Sequence, residues 1–378
     1  MAKSPPQLDV LVVGEHPCTY LAAILLAEAS KIRVAHCCVP GNAEPDRLVL
    51  INPLFFELHP LLASLRRKLE MTPIYGVEFL SDDSATRSEF RNKAALAYVA
   101  SYKTVRTAVC KLAQAQSVQL LTPKVFQIQH VDERGVDIQV GKETLHPRAL
   151  LLGTGLPAAG GKMLGLPEGW GVDVVHRYTY IKLPAARWIE PGSRPIVPMS
   201  LNLRESFCWG WLLPGPNTIQ LAVEQPVETL GRISPNDLLA HWAGVLKSHG
   251  VLSGKGELPL GSVQSLDLPL GGALEHDGVA NRTLLIGPEG GFYSACAEDI
   301  YPNCWSAVFA VEAIKKALRE PHLQDALQPF SQKWRTTLGE YLRGPQQNLR
   351  FLLPLVYRNQ KMTTRLTESI LQGKQVIR

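Results

Sequence analysis

The chain has 378 residues, of which 46% are hydrophobic and 19% charged, and this balance excludes a largely disordered protein. At roughly 100–200 residues per domain, the length accommodates two or three domains. The formal net charge of +5 is small and the sequence has no basic run, so we expect no nucleic-acid partner. No apolar stretch reaches the roughly 18 residues of a membrane span, and the first residues lack the pattern of a secretory signal. We therefore expect no transmembrane segment and a cytoplasmic location.

The seven cysteines are odd in number, and neither they nor the histidines have the spacing of metal ligands. We interpret the cysteines as reduced thiols and expect no metal site. No serine lies in a nucleophile-elbow turn, so the sequence assigns no catalytic residue.

In chain order, the first segments have the pattern of a strand, a helix and a second strand. Leu8–Val13 is a continuous apolar run that ends at Gly14, as in a strand buried on both faces. Tyr20–Ala29 is predicted to be a helix and Lys31–Val39 a second buried strand. This order is typical of the opening of a parallel, doubly wound sheet.

The next region predicts helices and a hairpin. Leu48–Leu69 is predicted to contain two helical stretches, and Lys103–Gln116 an amphipathic helix. Val125–His130 and Val136–Val140 alternate between apolar and polar residues on either side of a turn, which predicts a hairpin. Leu150–Leu152 predicts another buried strand.

The character of the sequence changes after about residue 165. Residues 165–274 are rich in Pro, Trp and β-branched residues and contain strand-like segments, with one predicted helix at Pro235–Ser248. Leu284–Ile286 then returns to the pattern of a buried strand, and Leu349–Gly373 is predicted to be mostly helical with apolar and basic faces. The predicted fold is therefore α/β, with a discontinuous Rossmann-like domain, an inserted antiparallel β-sheet domain and C-terminal helices. These parts are predicted to cover residues 1–164 with 275–320, residues 165–274, and residues 321–378, respectively.

The turn after the first strand departs from the pattern of a dinucleotide-binding site. In that pattern, Gly-x-Gly-x-x-Gly, the glycines allow a tight turn, close approach to a pyrophosphate and tight helix packing. The turn here is Gly14-Glu15-His16-Pro17-Cys18-Thr19, in which only the first glycine is present. Cys38 stands where an acidic residue would bind the adenine ribose. These residues predict a Rossmann layout with weakened dinucleotide-binding chemistry.

Over nearly its full length, the chain resembles the FAD-dependent oxidoreductases of the geranylgeranyl reductase and aromatic hydroxylase group. Leu8–Ala29, including Pro17, resembles the first strand-helix unit of that group, and Leu150–Gly155 resembles its strand that ends in an Ala-Thr-Gly turn. Tyr102-Lys103 lies where the group carries an arginine near the flavin. Thr283–Leu318 is similar to its second cofactor signature, a strand followed by Gly-Asp-x-x-Gly and a helix.

The second signature is altered as well. Pro288 replaces the aspartate that bonds the ribityl chain in the group, and Glu289 is the candidate substitute. Glu298-Asp299 aligns with a flavin-proximal segment of the reductases, and is either a carboxylate pair beside the flavin or a solvated helix start. The cofactor-binding positions that the resemblance implies are Gly14, His16, Pro17, Thr19, Cys38, Lys103, Gly155, Gly287, Glu289, Gly290 and Gly291.

The inserted segment carries a tryptophan motif. Cys208–Pro214 resembles the Tyr-x-Trp-x-Phe-Pro strand of the reductases and the Trp-x-Trp-x-Ile-Pro strand of flavin-dependent halogenases, although the catalytic lysine of the halogenases has no counterpart. In a strand, Trp209, Trp211 and Leu213 share one face. The resemblance implies that this face contacts an apolar substrate between the domains. The alternative is that both indoles belong to the sheet core.

Two functions follow from the resemblance. The first is an FAD-dependent oxidoreductase of the reductase or monooxygenase type, with weakly bound FAD, that acts on an apolar isoprenoid or aromatic substrate; NAD(P)H is a candidate electron donor. The second is a cofactor-free homologue with the flavoprotein fold that binds a lipid or a partner protein. The remaining glycines and the tryptophan strand favour the first, whereas the replacements in the two glycine-rich turns favour the second.

Overall fold

The structure, a computed structural model, describes residues 8–29, 31–39, 45–116, 118–153, 162–165, 175–189, 195–253, 256–269, 277–343 and 349–376. Gly155, one of the predicted cofactor positions, lies outside these residues. Strands β1 to β19 are Val10–Val13, Val34–Cys37, Leu48–Ile51, Thr72–Ile74, Gly76–Leu80, Arg87–Arg91, Ala97–Ser101, Gln119–Leu121, Phe126–Val131, Val136–Val140, Glu143–Leu145, Ala149–Leu152, Val175–Pro184, Val197–Leu203, Cys208–Pro214, Thr218–Pro226, Gln264–Pro269, Val279–Ala280 and Thr283–Leu285.

Helices connect and cover these strands. Helices α1 to α12 are Pro17–Ala27, Pro60–Leu65, Tyr102–Ala115, Ala185–Trp188, Pro235–Ser248, Gly287–Gly290, Ile300–Ala317, Leu323–Leu327, Pro329–Thr336, Leu338–Arg343, Leu349–Val356 and Gln360–Gln372. Short 3-10 helices occupy Pro53–Glu57, Val227–Thr229, Leu260–Ser262 and Ala295–Ala297.

The first sheet is the centre of a Rossmann-like domain. Its strand order is β18-β19-β12-β1-β2-β8, and all neighbours are parallel except β18 and β19. β1 and β12 are fully buried aliphatic runs, as strands covered on both faces must be. β19 joins this sheet although the strands of the second sheet precede it in sequence. The predicted discontinuous Rossmann-like domain is therefore confirmed.

Helices cover one face of the first sheet and a small sheet covers the other. α1 packs against α7 on the helical face, and almost every residue of α1 is buried. On the opposite face, the antiparallel sheet β9-β10-β11 contributes Phe126, Ile128 and Ile138 to a core that includes Leu11 and Leu150. The predicted hairpin is confirmed as β9 and β10.

The second sheet has the order β17-β13-β16-β15-β14-β5-β6. Its neighbours are antiparallel, except that β14 and β5 are parallel. β5 and β6 come from residues 76–91, before the predicted inserted segment. The helix predicted at Pro235–Ser248 is confirmed as α5, and its Trp242 packs into the core on one face of this sheet. Residues 293–297 and helices α11 and α12 pack on the other face.

The segment Leu48–Ile51 was predicted to be helical, and this prediction is wrong. These residues form β3, which pairs antiparallel with β7 in a three-stranded sheet completed by β4. A short apolar run is compatible with either a helix or a strand. Here the pairing with Ala97–Ser101 makes it a strand.

Two predicted helix boundaries also differ. α1 begins at Pro17 rather than Tyr20, because the residue before Pro17 caps the helix and proline suits the first helical position. The sequence of Leu323–Leu342 also predicts one helix, but this segment is divided into α8, α9 and α10, with Pro329 at the start of α9.

Within the part of the chain that the structure describes, no helix is long and apolar enough to cross a bilayer. All seven cysteines lie in this part, and no disulfide joins any two of them. No group of three or more His, Cys, Asp and Glu side chains gathers there as a metal site would require.

Gly210 lies in β15 where α5 crosses the second sheet. A Cβ atom added there would lie 2.7 Å from Leu203 Cδ1 and 2.8 Å from Trp242 Cδ2. We predict that Gly210→Ala lowers the free energy of unfolding by about 1–3 kcal/mol through overpacking, as measured by urea denaturation. Gly244, in α5, is the matched control because its added Cβ meets no atom within 4 Å. Gly244→Ala should raise stability by up to about 1 kcal/mol, and equal effects of the two variants would contradict the packing argument.

Candidate functional site

The candidate site lies where the parallel strands of the first sheet end, which is where dinucleotides bind to sheets of this type. Three loops meet there, after β1, β12 and β19. A Cβ atom on Gly153 would lie 2.2 Å from Thr19 Cγ2, and one on Gly287 would lie 2.5 Å from Cys18 Sγ. The three loops are therefore in direct contact with one another.

The N-terminus of α1 has no free amide in its first turn. His16 is the N-cap residue, and its Nδ1 accepts a hydrogen bond from Cys18 N–H (3.2 Å). Pro17 has no N–H, and Thr19 N–H donates to His16 O (3.0 Å). A helix N-terminus binds an anion through backbone amides that have no other partner. The amides of these residues are already bonded, so they offer no donor to an anion.

The amides of α6, in the second signature, are also engaged. They donate as follows: Gly287 N–H to Ser306 Oγ (3.3 Å), Glu289 N–H to Gly153 O (3.0 Å), Gly290 N–H to Ile286 O (3.2 Å) and Gly291 N–H to Pro288 O (3.1 Å). The space beside Gly290 is filled by the ring of Phe292, whose Cε2 would lie 2.2 Å from an added Cβ.

Two of the retained glycines have conformational reasons to be glycine. Gly14 has φ +128°, and Gly291 ends α6 with φ +70°, both in the left-handed region that side chains avoid. Their presence therefore does not require a ligand.

A buried ion cluster of His16, Arg47 and Asp299 lies at this point. Arg47 Nη2 donates to Asp299 Oδ2 at 2.6 Å, and His16 Nε2 lies 3.2 Å from the same oxygen. The three residues are at most 1% exposed. Burial opposes ionisation of Asp299, but Arg47 and His16 outweigh it and hold the pKa of the carboxyl below its usual range. Since Nδ1 of His16 accepts a hydrogen bond from Cys18 N–H, Nε2 is the ring nitrogen that can donate to Asp299 Oδ2.

Tyr102 completes the cluster on one side. The guanidinium of Arg47 lies 4.9 Å from the centre of the Tyr102 ring, and the ring of His16 lies 5.8 Å from it. Lys103, the residue that the resemblance pointed to, is exposed and lines a surface groove of about 540 Å³ between α2 and α3. Its backbone N–H donates to Asp46 Oδ1 at 3.2 Å.

Glu298, beside the cluster, is also buried. Its Oε1 accepts a hydrogen bond from Tyr301 N–H and its Oε2 from the Tyr341 hydroxyl, both at 3.1 Å. Burial, with a contribution from the charge of Asp299, raises the pKa of Glu298 to about 8. Glu298 is 3% exposed and Asp299 is 0% exposed, so the alternative of a solvated helix start is wrong.

The end of the second strand belongs to a packed hydrogen-bond network. Cys38 Sγ lies 3.5 Å from the Tyr20 hydroxyl and 3.7 Å from His36 Nδ1. His36 Nε2 lies 3.0 Å from Thr19 Oγ1, and burial lowers the pKa of His36 to about 3, so its ring is neutral at physiological pH. Thr19 and Cys38, which replace the third glycine and the ribose-binding acid, are thus used to join α1 to β2.

The tryptophan strand, β15, places its predicted face close to the ion cluster. The region where this face and the cluster approach each other is called the junction below. Trp209, Trp211 and Leu213 lie together in one core while Leu212 lies in the core on the opposite face, which confirms the predicted alternation. Trp211 stacks on Tyr178 with ring centres 5.5 Å apart and planes 3° apart. Contact of this face with a substrate stays a prediction.

Tyr178 connects this strand to the ion cluster. Burial raises the pKa of Tyr178 well above the usual value. The charge of Arg47 lowers this pKa and the charge of Asp299 raises it, so Tyr178 lies within range of both residues. Gln220 donates to the Tyr178 hydroxyl (2.7 Å) and to Leu48 O (3.0 Å), so it joins the second sheet to β3. Sequence reasoning missed Arg47 and Tyr178. The only local sign for Arg47 is a charged residue directly before an aliphatic run.

Some polar atoms near this junction are buried without a hydrogen-bond partner among the described residues. They include Trp211 Nε1, Ser294 Oγ, Asp299 Oδ1 and both side-chain polar atoms of Asn303. Cys296 and Ala297, in the same region, have φ +58° and +52°, a strained conformation for residues with a Cβ. The junction therefore combines unused hydrogen-bonding capacity with local strain.

No family model and no curated protein matches the chain, but solved structures do. A geranylgeranyl bacteriochlorophyll reductase-like protein from Thermoplasma acidophilum has a TM-score of 0.74 at 12% identity, with 96% of this chain and 92% of that chain covered. For the flavin-dependent brominase Bmp2 the TM-score is 0.65 at 14% identity, with 97% and 94% covered. PqsL from Pseudomonas aeruginosa, a probable FAD-dependent monooxygenase, has a TM-score of 0.63 at 14% identity, with 94% and 98% covered. The chain has the fold of flavin-dependent reductases, halogenases and monooxygenases.

FAD does not fit the described residues of this flavoprotein fold as they are arranged. A pyrophosphate needs free amides or cations, but many amides of the two signatures donate within the protein, namely those of Gly14, Cys18, Thr19, Gly287, Glu289, Gly290 and Gly291. The Arg47 guanidinium is paired with Asp299, and Arg106 is paired with Glu15 at 2.7 Å. The buried ring of His16 also fills the turn where a backbone would have to approach the phosphates.

We predict that Asp299→Ala lowers the free energy of unfolding by about 3–5 kcal/mol, because it leaves the Arg47 guanidinium buried without its carboxylate. Chemical denaturation measures the change. Glu368→Ala is the control, since it removes an exposed ion pair with Lys374 and should cost at most about 1 kcal/mol. Similar costs for the two variants would show that the buried pair is not a structural requirement.

The raised pKa of Glu298 makes a prediction about pH. Between pH 4.5, the ordinary pKa of a glutamate, and about pH 8, Glu298 keeps its proton in the folded protein but loses it in the unfolded chain. The free energy of unfolding should therefore fall as the pH rises through this window, by up to about 1.4 kcal/mol per pH unit. Glu298→Gln removes this contribution, so the variant should gain stability relative to the parent with rising pH. Parallel stability curves for the two proteins would contradict the assignment.

Proposed function

We propose that this chain is a cofactor-free protein with the flavoprotein fold, which binds a lipid or a partner protein instead of carrying out flavin redox chemistry. Support for the loss of the flavin comes from the closed arrangement of the strand-end loops. Support for binding comes from apolar surface on α11, where Phe351 is 82% exposed.

The observation that carries the proposal is the ion cluster at the N-terminus of α1. To offer Cys18 N–H to a pyrophosphate, the protein would have to break the His16 cap, and to offer the Arg47 guanidinium it would have to separate Arg47 from Asp299. Separation of a buried ion pair costs about 3–5 kcal/mol. A cost of this size weakens binding by roughly a hundred-fold to several thousand-fold.

An FAD-dependent oxidoreductase that acts on an apolar isoprenoid or aromatic substrate is the second candidate. It is favoured by the likeness of fold and by the unpartnered polar atoms at the junction, Trp211 Nε1 among them, which could hydrogen-bond a ligand. No observation on the described residues supports NAD(P)H, which we do not propose. The two candidates differ in one property that is simple to measure, the presence of flavin.

We predict that the purified protein is colourless in the flavin absorption range. Added FAD at high micromolar concentration should leave both flavin fluorescence and protein thermal stability unchanged, because the amides and cations of the site are already engaged. A yellow protein, or saturable binding at low micromolar FAD, would overturn the proposal in favour of the oxidoreductase.

The double variant His16→Gly with Thr19→Gly restores the glycine pattern. It tests whether the replacement of these glycines is the reason why FAD does not bind. Removal of the His16 ring frees Cys18 N–H and opens the turn, so FAD binding should appear in this double variant. Thr179→Gly, which removes another buried threonine from the second sheet, is the control for general loosening and should not bind FAD. A folded double variant with no affinity for FAD would contradict this explanation of the closed site.

A further inference from the structure

Helix α11 presents apolar residues to solvent. Its buried side consists of Leu349, Leu352 and Val356, which belong to the core beneath the second sheet. Its outer side, defined here as the α11 face, consists of Phe351, Pro354 and Leu355, and Phe351 and Leu355 are 82% and 44% exposed. The spacing of four residues places these two side chains next to each other on the helix.

This exposure is unusual within the described part of the chain. The other large exposed hydrophobic residues are Leu54, Val125 and Met163, each between 40% and 46% exposed and in separate segments. Single exposed apolar residues need no explanation, but an almost fully exposed aromatic ring beside a second apolar side chain marks an interaction surface.

Basic residues flank the α11 face. Residues 349–376 contain five basic residues and one acidic residue. Arg358, Lys361 and Arg365 are exposed, and none of them forms an ion pair with a described residue. The single acid, Glu368, is paired with Lys374 at 2.9 Å. Lys361 and Arg365 are four residues apart on α12, which packs against α11, so positive charge lies beside the apolar residues.

The carboxylates of the neighbouring strand do not cancel this charge. α12 packs against β6, where Glu89 is paired with Arg91 and Arg87 lies 3.7 Å from Glu78. Gln360, at the start of α12, donates to Glu89 O (2.9 Å) and fixes the two elements together. Each of these two carboxylates is thus accompanied by an arginine. Asp82 and Asp83 also lie near the end of α11, because burial and the charges of these two residues raise the pKa of Tyr357, and Asp82 is bonded to His241.

We propose that the α11 face docks on an anionic phospholipid bilayer. Phe351 and Leu355 enter the interface, while Arg358, Lys361 and Arg365 extend along it to the phosphate groups. An apolar helix face with flanking Lys and Arg is the arrangement that binds anionic lipid surfaces, and long basic side chains can cover apolar surface while keeping their charges in water. Phe351 and Leu355 project from a surface helix, which favours a soft lipid surface over a rigid partner.

This inference gives a definite form to the lipid binding of the proposed function. The two can fail separately, because vesicle binding is measured without reference to flavin. A protein that contains FAD and also binds vesicles would overturn the proposed function alone.

Co-sedimentation with vesicles tests the docking. The full chain should bind vesicles of phosphatidylcholine mixed with phosphatidylserine, and should bind pure phosphatidylcholine at least about tenfold more weakly. Phe351→Ser with Leu355→Ser, and separately Arg358→Gln, Lys361→Gln and Arg365→Gln together, should each lower the partition coefficient by about tenfold or more.

Matched controls carry the same chemical changes at other exposed sites. Val125→Ser removes an apolar side chain that is 46% exposed, and Arg134→Gln, Lys142→Gln and Arg232→Gln together remove three exposed charges. Both controls should bind anionic vesicles like the parent protein. All variants should keep the parent melting temperature, because the altered side chains are exposed.

Other outcomes would overturn the inference. Failure of the parent chain to bind anionic vesicles would do so directly. A concentration-dependent dimer that disappears in the Phe351→Ser and Leu355→Ser variant would instead assign the α11 face to a second copy of the chain. An equal loss of vesicle binding in the control triple variant would show that net charge, not this face, is responsible.

Discussion

An ionised carboxylate with no exposure to solvent needs a cation beside it, and Arg47 is that cation for Asp299. Arg47 directly precedes β3 and Asp299 directly precedes α7, so the ion pair fixes the relative positions of these two elements. His16 bonds the same oxygen and adds the start of α1. Elements that are far apart in sequence are thereby held at one point.

The loops at the ends of the parallel strands show how a fold can persist after the chemistry of its usual site has changed. Anion sites at helix N-termini depend on donors that the protein leaves unsatisfied. In this chain the side chain of His16, the carbonyl of Gly153 and the hydroxyl of Ser306 satisfy donors of this kind. The glycines remain because backbone conformation and close packing require them. Their presence is therefore evidence for the fold and says nothing about a ligand.

Much of the architecture could be predicted from the sequence because it is encoded locally. The first strand-helix-strand unit, the β9–β10 hairpin and α5 each have a clear periodicity over their own residues. β3 was missed because four aliphatic residues carry no periodicity, and its partner strand lies about 50 residues away in sequence. The contact of Arg47 with Asp299 spans 252 residues and has no local signature, so the centre of the candidate site could only come from the structure.

The origin of β5 and β6 from residues 76–91 has a consequence for the synthesis of the chain. β5 pairs with β14, which begins at Val197, and β19 completes the parallel ladder of the first sheet only at Thr283–Leu285. In each sheet, some strands pair with strands that are synthesised much later. Pairing between residues so far apart in sequence slows folding. During translation, β5 and β6 emerge from the ribosome as an exposed edge before their partner exists. The edge of β5 therefore has no partner strand in the second sheet until Val197–Leu203 has been made.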